Sequence, residues 1–230
     1  LHKEYRRQRQ MCIRDSVKVD RVEWLYIPDG NTATAALMNG EVDMIEQITP
    51  DFLPVVESNP DITLSTSVAS QGMVIVNALH PPFNNPLARQ ALYHLVSQKE
   101  MLSAMGYPEK YRVDYCATLY ICGSPLATDA GAAPYAKPDP ARAKQLLQEA
   151  GYKGEKVVLL YPTDHLSAPA VMVLAQNMKK AGIKVDVQSM DWASLAGRRL
   201  KKDPPEQGGW NIFLTLSLIH ISEPTRPLYI

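Results

Sequence analysis

The 230-residue sequence has few cysteines and no excess of charge, since it holds three cysteines and its 24 Lys and Arg residues balance 24 Asp and Glu residues. The cysteines form no C-x-x-C motif and no zinc-ligand spacing with the histidines, so we expect no metal and no cofactor. The missing basic excess argues against a nucleic-acid partner. No stretch approaches the roughly 18 consecutive apolar residues that a membrane-spanning helix needs.

Motifs that carry catalysis are also missing. The sequence contains no G-x-S-x-G, P-loop, G-x-G-x-x-G or H-E-x-x-H pattern. Ser167, His165 and Asp164 could supply a Ser–His–Asp set, but neighbours in sequence do not have the geometry of a catalytic triad. The isolated His94 is typical of a structural or surface histidine. We therefore expect no catalytic residues, and a hydrolase is a minor alternative.

The spacing of Cys116 and Cys122 leaves two interpretations open. The pair could form a local disulfide in an oxidising compartment, or it could be two small buried thiols. A secretory signal is missing as well, because the polar start of the chain has no apolar segment. That absence would favour the cytoplasm only if the N-terminus were the natural one.

Both ends of the chain lack helical or strand periodicity. Residues 1–16 and 216–230 resemble translated sequencing-adapter read-through, in the strings MCIRDS and SLIHISEPTRP, and we interpret them as scars. A real basic arm and a real C-terminal strand are the alternative. Between these ends, residues 17–76 carry two basic and nine acidic groups, whereas residues 77–215 carry sixteen and twelve. The neutral total is therefore a sum over segments of opposite charge.

The pattern of apolar residues between the ends predicts an α/β protein. Strands are predicted over Val17–Ile27, Val42–Ile45, Ile62–Val68, Met73–Asn77, Lys156–Tyr161, Lys184–Met190 and Trp210–Thr215. Helices are predicted over Thr32–Asn39, Asp51–Ser58, Leu87–Val96, Lys99–Met105, Asp139–Ala150, Pro169–Ala181 and Trp192–Lys201. In the second half helices and strands alternate, which indicates crossover connections within one sheet.

Two irregular segments interrupt this pattern. His80–Pro86 holds three prolines, which exclude a helix interior or a central strand, so we place a domain crossing there. Residues 106–138 form a long loop rich in tyrosine, and loops of this length are often functional. Its Tyr120 could contact a ligand or pack against its own lobe.

The tryptophans differ in the surroundings that the sequence predicts. Gly208 and Gly209 permit close backbone approach and a positive φ. Trp210 is therefore predicted to face outward or into a cleft, and the sequence does not decide whether it contacts a ligand. Trp24 and Trp192 occupy amphipathic positions and are predicted to be core.

Four segments carry a resemblance to a known family. They read VEWLYIPDGNTATAALMNGEVD (22–43), VNALHPPFNNPLARQAL (76–92), DPARAKQLLQEAG (139–151) and KAGIKVDVQSMDW (180–192). In this order they resemble the family 5 extracellular solute-binding proteins, which are the peptide, dipeptide and nickel receptors of ABC importers. Asn85 and Ala88 depart from the acidic residue and the valine that are usual in the second motif.

The resemblance implies a periplasmic-binding-protein fold of type II, of which this chain is an internal fragment. Residues 17–76 would be the tail of lobe I, residues 77–86 the inter-lobe crossing, and residues 87–215 most of lobe II. Asn77 and Pro81 would then belong to the hinge. The signal peptide would be lost with the missing N-terminus, and the location would be periplasmic or at the cell surface.

The implied function is capture of a small peptide-like solute between two lobes, closure about a hinge and delivery to an ABC permease in the membrane. We expect a monomer, with Trp210, Asn211 and Tyr120 as ligand-binding residues. The alternative is the same fold with a nickel chelate, glutathione or an oligosaccharide as ligand.

Overall fold

The computed structural model describes residues 19–27, 29–46, 48–65, 71–118, 122, 125, 127–163 and 165–217. The chain forms two compact units, which divide between Ile48 and Thr49. The helices are α1 Gly30–Met38, α2 Leu53–Glu57, α3 Pro86–Tyr93, α4 Gln98–Ala104, α5 Pro140–Glu149, α6 Ala168–Lys180 and α7 Trp192–Arg198. The strands are β1 Gln71–Val76, β2 Lys156–Pro162, β3 Lys184–Met190 and β4 Ile212–Ser217. Within the described ranges, no helix has both the length and the apolar content to cross a membrane.

The first unit holds α1, whose ends follow from local chemistry. The Asp29 carboxylate accepts a hydrogen bond from the Thr32 N–H at 2.8 Å and so caps the helix. Gly40, at φ 72°, follows the helix in the left-handed conformation that glycine tolerates best. The helix that the sequence predicts here is confirmed.

The strands predicted for this unit are wrong where the structure describes them. Neither residues 19–27 nor residues 42–45 form a strand. Trp24, predicted to be core, is 76% exposed. Alternating apolar residues form a strand only beside another strand that completes its backbone hydrogen bonds, and the described part of this unit contains none.

The second unit is built on a four-stranded sheet in the order β1-β4-β2-β3. β2 runs parallel to β3 over its whole length and parallel to β4 at two positions, Leu159 beside Ile212 and Leu160 beside Phe213. β1 runs antiparallel to β4, from Gln71 opposite Ser217 to Val76 opposite Ile212. The predicted α/β class is confirmed, and so are the predicted strands that begin at Met73, Lys156 and Lys184, to within two residues at each end.

Helices cover both faces of this sheet. Val157 and Leu159 of β2 point into the larger apolar cluster, which includes residues of α3, α4, α5 and α6. Val158 and Leu160 point into a smaller cluster with Trp210, Phe213 and Leu195 of α7. Successive side chains of a strand face opposite sides, so the unbroken apolar run in β2 fits a strand that is buried on both faces.

Four helices of this unit, α3, α4, α5 and α7, begin at a residue whose side chain caps them. Asn85, Ser97, Asp139 and Asp191 each accept a hydrogen bond from a backbone N–H in the first turn of α3, α4, α5 and α7. The predicted helix starts are therefore confirmed to within about one turn.

Residues 77–85 connect β1 to α3 and contain a cis peptide bond between Pro81 and Pro82. Phe83 is fully buried in the larger apolar cluster. Asn85 donates from Nδ2 to the Ala150 carbonyl at 3.1 Å, and Arg89 donates to the Phe83 carbonyl at 2.7 Å. The predicted break in regular structure is confirmed, whereas its interpretation as a lobe crossing stays a prediction.

The long segment after α4 is held by a disulfide between Cys116 and Cys122. The Gln98 side chain anchors it further, because its amide donates to the Cys116 carbonyl at 2.8 Å and accepts from the Cys116 N–H at 2.6 Å. Of the two interpretations that the sequence leaves open, the disulfide is the one found.

His94 follows α3 and is 7% exposed, which confirms a structural position. Its ring packs on Tyr135 at 5.0 Å between centroids, and its Nδ1 lacks a hydrogen-bond partner among the described residues. Burial lowers the pKa of His94, although the Asp139 carboxylate acts in the opposite direction.

The lowered pKa of His94 predicts a loss of stability in mild acid. The unfolded chain binds the proton more readily, so the free energy of unfolding should fall as the pH drops below the unfolded pKa of about 6.5, by at most about 1.4 kcal/mol per pH unit. Chemical denaturation of wild type and His94→Gln between pH 8 and pH 5 measures this. Parallel stability curves for the two proteins would contradict the prediction.

Candidate functional site

The carboxyl ends of β2 and β3 meet at one edge of the sheet. Pro162 lies opposite Met190, and the Thr163 N–H donates to the Met190 carbonyl at 2.9 Å. After β2 the chain continues into α6, which packs on the face of the larger apolar cluster, whereas after β3 it continues into α7 on the opposite face. Neighbouring parallel strands whose connections leave in opposite directions open a crevice between their carboxyl ends, and ligands bind there in open α/β sheets.

Two aromatic rings lie at this crevice. The His165 and Trp192 rings are stacked, with centroids 4.5 Å apart and planes inclined by 19°. Both side chains are partly exposed. The pair offers a flat and largely apolar surface at the place where the fold favours ligand binding.

The residues around the pair fix its position. Asp191 accepts from the Ser194 N–H at 2.8 Å and from its hydroxyl at 2.6 Å, and so caps α7 with Trp192 as its first residue. The same hydrogen bonds, the side-chain bond foremost, lower the pKa of Asp191. On the other side, His165 Nδ1 lies 2.8 Å from the Ser167 hydroxyl and accepts from the Ser167 N–H at 3.1 Å.

These contacts also bear on the hydrolase alternative. Ser167 is only 2% exposed, and its hydroxyl and N–H both meet the same ring nitrogen of His165. A nucleophile must reach its substrate, which this hydroxyl does not. Asp164, the third member of the proposed set, lies outside the described residues. The geometry is that of a local turn.

Beyond Phe213, β4 leaves β2. Of the described strands, only β1 pairs with the four residues that follow, so that Leu214–Ser217 and Gln71–Val74 form a two-stranded ribbon. Because β4 is parallel to β2, this ribbon departs toward the edge that carries His165 and Trp192. The crevice of the second unit and the projecting ends of β1 and β4 therefore lie on the same side of the sheet.

Four of the residues predicted for the site gather at the opposite, amino-terminal side of the sheet. Trp210 is 7% exposed, donates from Nε1 to the Arg199 carbonyl at 3.0 Å and packs edge-on against Phe213. Asn211 is fully buried beside Val158 at the start of β2. Tyr120, the third predicted ligand contact, lies outside the described residues.

The predicted hinge residues belong to the same cluster. Asn77 donates its N–H to the Asn211 carbonyl at 2.8 Å and its side-chain amide to the Trp210 carbonyl at 3.0 Å. The Pro81 carbonyl accepts from Asn211 Nδ2 at 3.3 Å. These contacts favour a structural role for Asn77 and Asn211, and the predicted ligand and hinge roles stay predictions.

The sequence contains a signal for this crevice in the positions of its two aromatic residues. His165 and Trp192 follow directly after the two most clearly predicted strands, and carboxyl ends of parallel neighbours meet at one edge. Trp192 was expected in the core; it is partly buried against the smaller cluster and partly exposed. In the part of the chain that the structure describes, no three His, Cys, Asp or Glu side chains group as metal ligands would.

Solved structures share this fold. The binding protein AgaA from A. tumefaciens R10, solved with agropinic acid, matches at a TM-score of 0.71 with 24% identity, over 86% of this chain and 39% of that one. DppA from Helicobacter pylori, solved with the peptide STSA, matches at 0.62 with 19% identity, over 86% and 37%. The chain therefore has the α/β fold of a periplasmic binding protein of type II, in part.

The family follows from the sequence comparison. Residues 4–229 match the model of the bacterial extracellular solute-binding proteins, family 5 Middle, and the chain belongs to this family. The matched range includes most of both ends that we interpret as scars, and that interpretation stays a prediction.

Two relatives illustrate the range of the family. The chain is 38% identical over 208 residues to the "Probable peptide ABC transporter periplasmic-binding protein y4tO" of Sinorhizobium fredii, over 87% of this chain and 39% of the relative. It is 28% identical over 206 residues to the glutathione-binding protein GsiB of Escherichia coli K12, over 84% and 38%. The chain thus spans about two fifths of the length of these relatives.

Proposed function

We propose that this chain is part of the solute-binding receptor of an ABC importer, which captures a small peptide-like solute between two lobes and delivers it to a membrane permease. The second unit would supply one wall of the ligand cleft. The protein would act as a monomer and would catalyse no reaction. The family and both relatives are named for binding, which supports a receptor rather than an enzyme.

One observation carries the proposal: the crevice and the outgoing ribbon share one edge of the sheet. A ligand at the carboxyl ends of β2 and β3 would lie beside the two strands that leave the unit. A second lobe connected through these strands would face the same crevice. Closing the two lobes would then bury the ligand from both sides, and preferential binding to the closed form would drive the closure.

The ribbon also suggests how the lobes are joined. Asn211 is hydrogen-bonded to Val158 of β2, and Asn77 is hydrogen-bonded to Asn211, so one end of both strands is fixed to β2. The pairs from Gln71–Ser217 to Val74–Leu214 have no further described strand beside them. We propose Asn77 and Pro81 as the fixed base of the hinge and the ribbon as the part that bends. Hinges are a few residues at the ends of elements that absorb the change of backbone angles.

The proposed location is outside the cytoplasm, in the periplasm or at the cell surface. Disulfides persist in oxidising compartments and are rare in reducing ones, and Cys116 is joined to Cys122. The family is named for extracellular proteins.

Binding without turnover is the expected result for a full-length protein that carries this sequence. Short peptides and glutathione, screened one at a time, should include a compound that raises the melting temperature, because a ligand at 100 times its Kd adds about 2.7 kcal/mol to stability. Mass spectrometry should recover that compound unchanged. Free alanine serves as the control for non-specific effects.

Two results would contradict the proposal. One is the absence of a shift with every short peptide and with glutathione. The other is hydrolysis of the bound compound, which would restore the enzyme alternative.

A further inference from the structure

Three connections of the second unit meet at the amino-terminal side of the sheet, opposite the crevice. Each of α5, α6 and α7 leads into the start of a parallel strand, so residues 149–156, 179–184 and 198–212 all lie there. They hold nine basic and four acidic residues, whereas the connections at the crevice, 162–168 and 190–192, hold two acidic residues and no Lys or Arg. We call the surface formed by these three connections the basic side.

Contacts between the connections make the basic side one surface. The Lys184 N–H donates to the Tyr152 hydroxyl at 2.9 Å, and a Cβ built on Gly154 would lie 3.1 Å from Lys184 Nζ. The third connection reaches the start of β2, where the Asn211 N–H donates to the Val158 carbonyl at 3.0 Å. The positive charges of three separate segments therefore act on the same region of solvent.

Helix stability accounts for only part of this charge. Lys179, Lys180 and Arg198 lie in the last turns of α6 and α7, where positive charge stabilises a helix. Lys201 and Lys202 lie beyond the end of α7, and both are exposed. Among the ion pairs of the described residues, none involves either of them. Their charge is therefore available to an external partner.

Leu200 indicates what kind of partner this is. It is 76% exposed and stands between Arg199 and the two lysines. To bind a protein partner, such a leucine needs a matching apolar pocket, whereas the headgroup region of a bilayer takes up cations and apolar side chains together. We infer that Arg199–Lys202, the basic loop, is a contact for an anionic bilayer surface, with phospholipid headgroups as its ligands.

The inference goes beyond the proposed function, because it concerns a surface that is remote from the crevice. A receptor held at a bilayer through the basic loop would stay near the membrane that contains a permease. The crevice, at the opposite side of the sheet, would remain open to solutes.

The attraction should be modest and reversible. Each Lys or Arg close to an anionic membrane surface adds about fivefold in affinity, and the effect fades over a Debye length of about 10 Å at 0.1 M salt. Asp203 directly follows the basic loop and offsets part of the attraction. Binding should therefore be clearest at low ionic strength and should weaken steeply with added salt.

Co-sedimentation of the 230-residue chain with lipid vesicles tests the inference. One set of vesicles contains phosphatidylcholine alone, and the other contains phosphatidylcholine and phosphatidylglycerol in equal amounts. Wild type should sediment with the second set and not with the first. The double variant Lys201→Gln with Lys202→Gln should bind about tenfold to thirtyfold more weakly. Leu200→Ser should weaken binding by about threefold to tenfold.

Matched variants separate this contact from general charge and from misfolding. Lys201→Arg with Lys202→Arg keeps the charge and should bind within about twofold of wild type. Lys137→Gln with Lys144→Gln removes two exposed lysines outside the basic side and should weaken binding by less than about threefold. Met172→Ser removes an exposed apolar side chain from α6 and should have no effect. Residues 1–16 carry five basic groups, but they are the same in every variant.

Three outcomes would overturn the inference. The first is equal binding of wild type to both sets of vesicles. The second is wild-type affinity in the folded Lys201→Gln, Lys202→Gln variant. The third is failure of wild type to bind vesicles with phosphatidylglycerol, which would leave an acidic protein surface as the partner of the basic side. The proposed function is tested separately by the melting-temperature screen, so the two can fail independently.

Discussion

Replacing Gly209 with alanine should destabilise the second unit by about 3 kcal/mol or more. A Cβ built at this position would lie 1.9 Å from the Asp203 carbonyl oxygen, 2.8 Å from the Asp203 carbonyl carbon and 2.9 Å from the Pro204 oxygen. All three are backbone atoms, so no side-chain rotation relieves the clash. The segment from Asp203 to Gly209 would have to move as a whole.

That movement would break contacts on both sides of the glycine. The Gly209 N–H donates to the Pro204 carbonyl at 3.0 Å, and the Gly209 carbonyl accepts from Arg198 at 2.8 Å. The next residue, Trp210, belongs to the smaller apolar cluster. Movement of Gly209 would therefore also disturb the packing of the smaller apolar cluster, which attaches α7 to the sheet.

A second glycine of the same region is the matched control. Gly197 lies within α7, and a Cβ there meets no atom within 4 Å. Gly197→Ala should stabilise the protein by about 0.5–1 kcal/mol, because alanine is the better helix former. Urea denaturation of the 230-residue chain, followed by circular dichroism, compares both variants with wild type. Similar stabilities for Gly209→Ala and Gly197→Ala would show that the protein does not need the close approach of the Gly209 backbone to Asp203 for its stability.

Gly209 also illustrates where a sequence-based argument about the site succeeds and where it stops. The glycine pair predicts close backbone approach and a positive φ, and both are found, with φ 86° at Gly208. The atoms that approach are those of Asp203 and Pro204, in the same loop. A glycine permits a close approach, but nothing in its sequence neighbours says whether the approaching group is a ligand or the chain itself.

The elements of the second unit were predictable because their signals are local. Asp139 followed by Pro140 starts α5, and Gly151 at φ 79° follows its end. Caps and apolar periodicity depend on residues within one or two turns. The strand predicted at Val17–Ile27 needs a partner strand to exist, and no property of that segment supplies one.

The crevice at His165 and Trp192 depends on the register of two paired strands, which neither local capping signals nor apolar periodicity determine. The two rings are 27 positions apart, and they meet because β2 and β3 pair in a register that sets Pro162 beside Met190. A shift of that register would separate them. Periodicity predicts that a strand exists and which faces it buries, whereas register is a property of the folded sheet.

Replacing Asn211 with alanine should cost about 2–4 kcal/mol of unfolding free energy. The side chain is fully buried, its Oδ1 accepts from the Val158 N–H at 2.8 Å, and its Nδ2 donates to the Pro81 carbonyl at 3.3 Å. Alanine would leave the buried Val158 N–H without its partner and open a small cavity. Asn84, exposed in the same connection as Pro81, is the matched control, and Asn84→Ala should change stability by less than about 0.5 kcal/mol.

The Asn211 variant also separates the two roles that this residue could have. If its contacts to Val158 and Pro81 are its function, Asn211→Ala loses stability, and the protein that remains folded binds ligand with wild-type affinity. If Asn211 contacts the ligand, as the sequence predicts, affinity falls by more than the loss of folded protein explains. Because the crevice lies at the other end of β2, we expect the first result. Titration of the compound identified in the melting-temperature screen, at a temperature where the variant is fully folded, distinguishes the two.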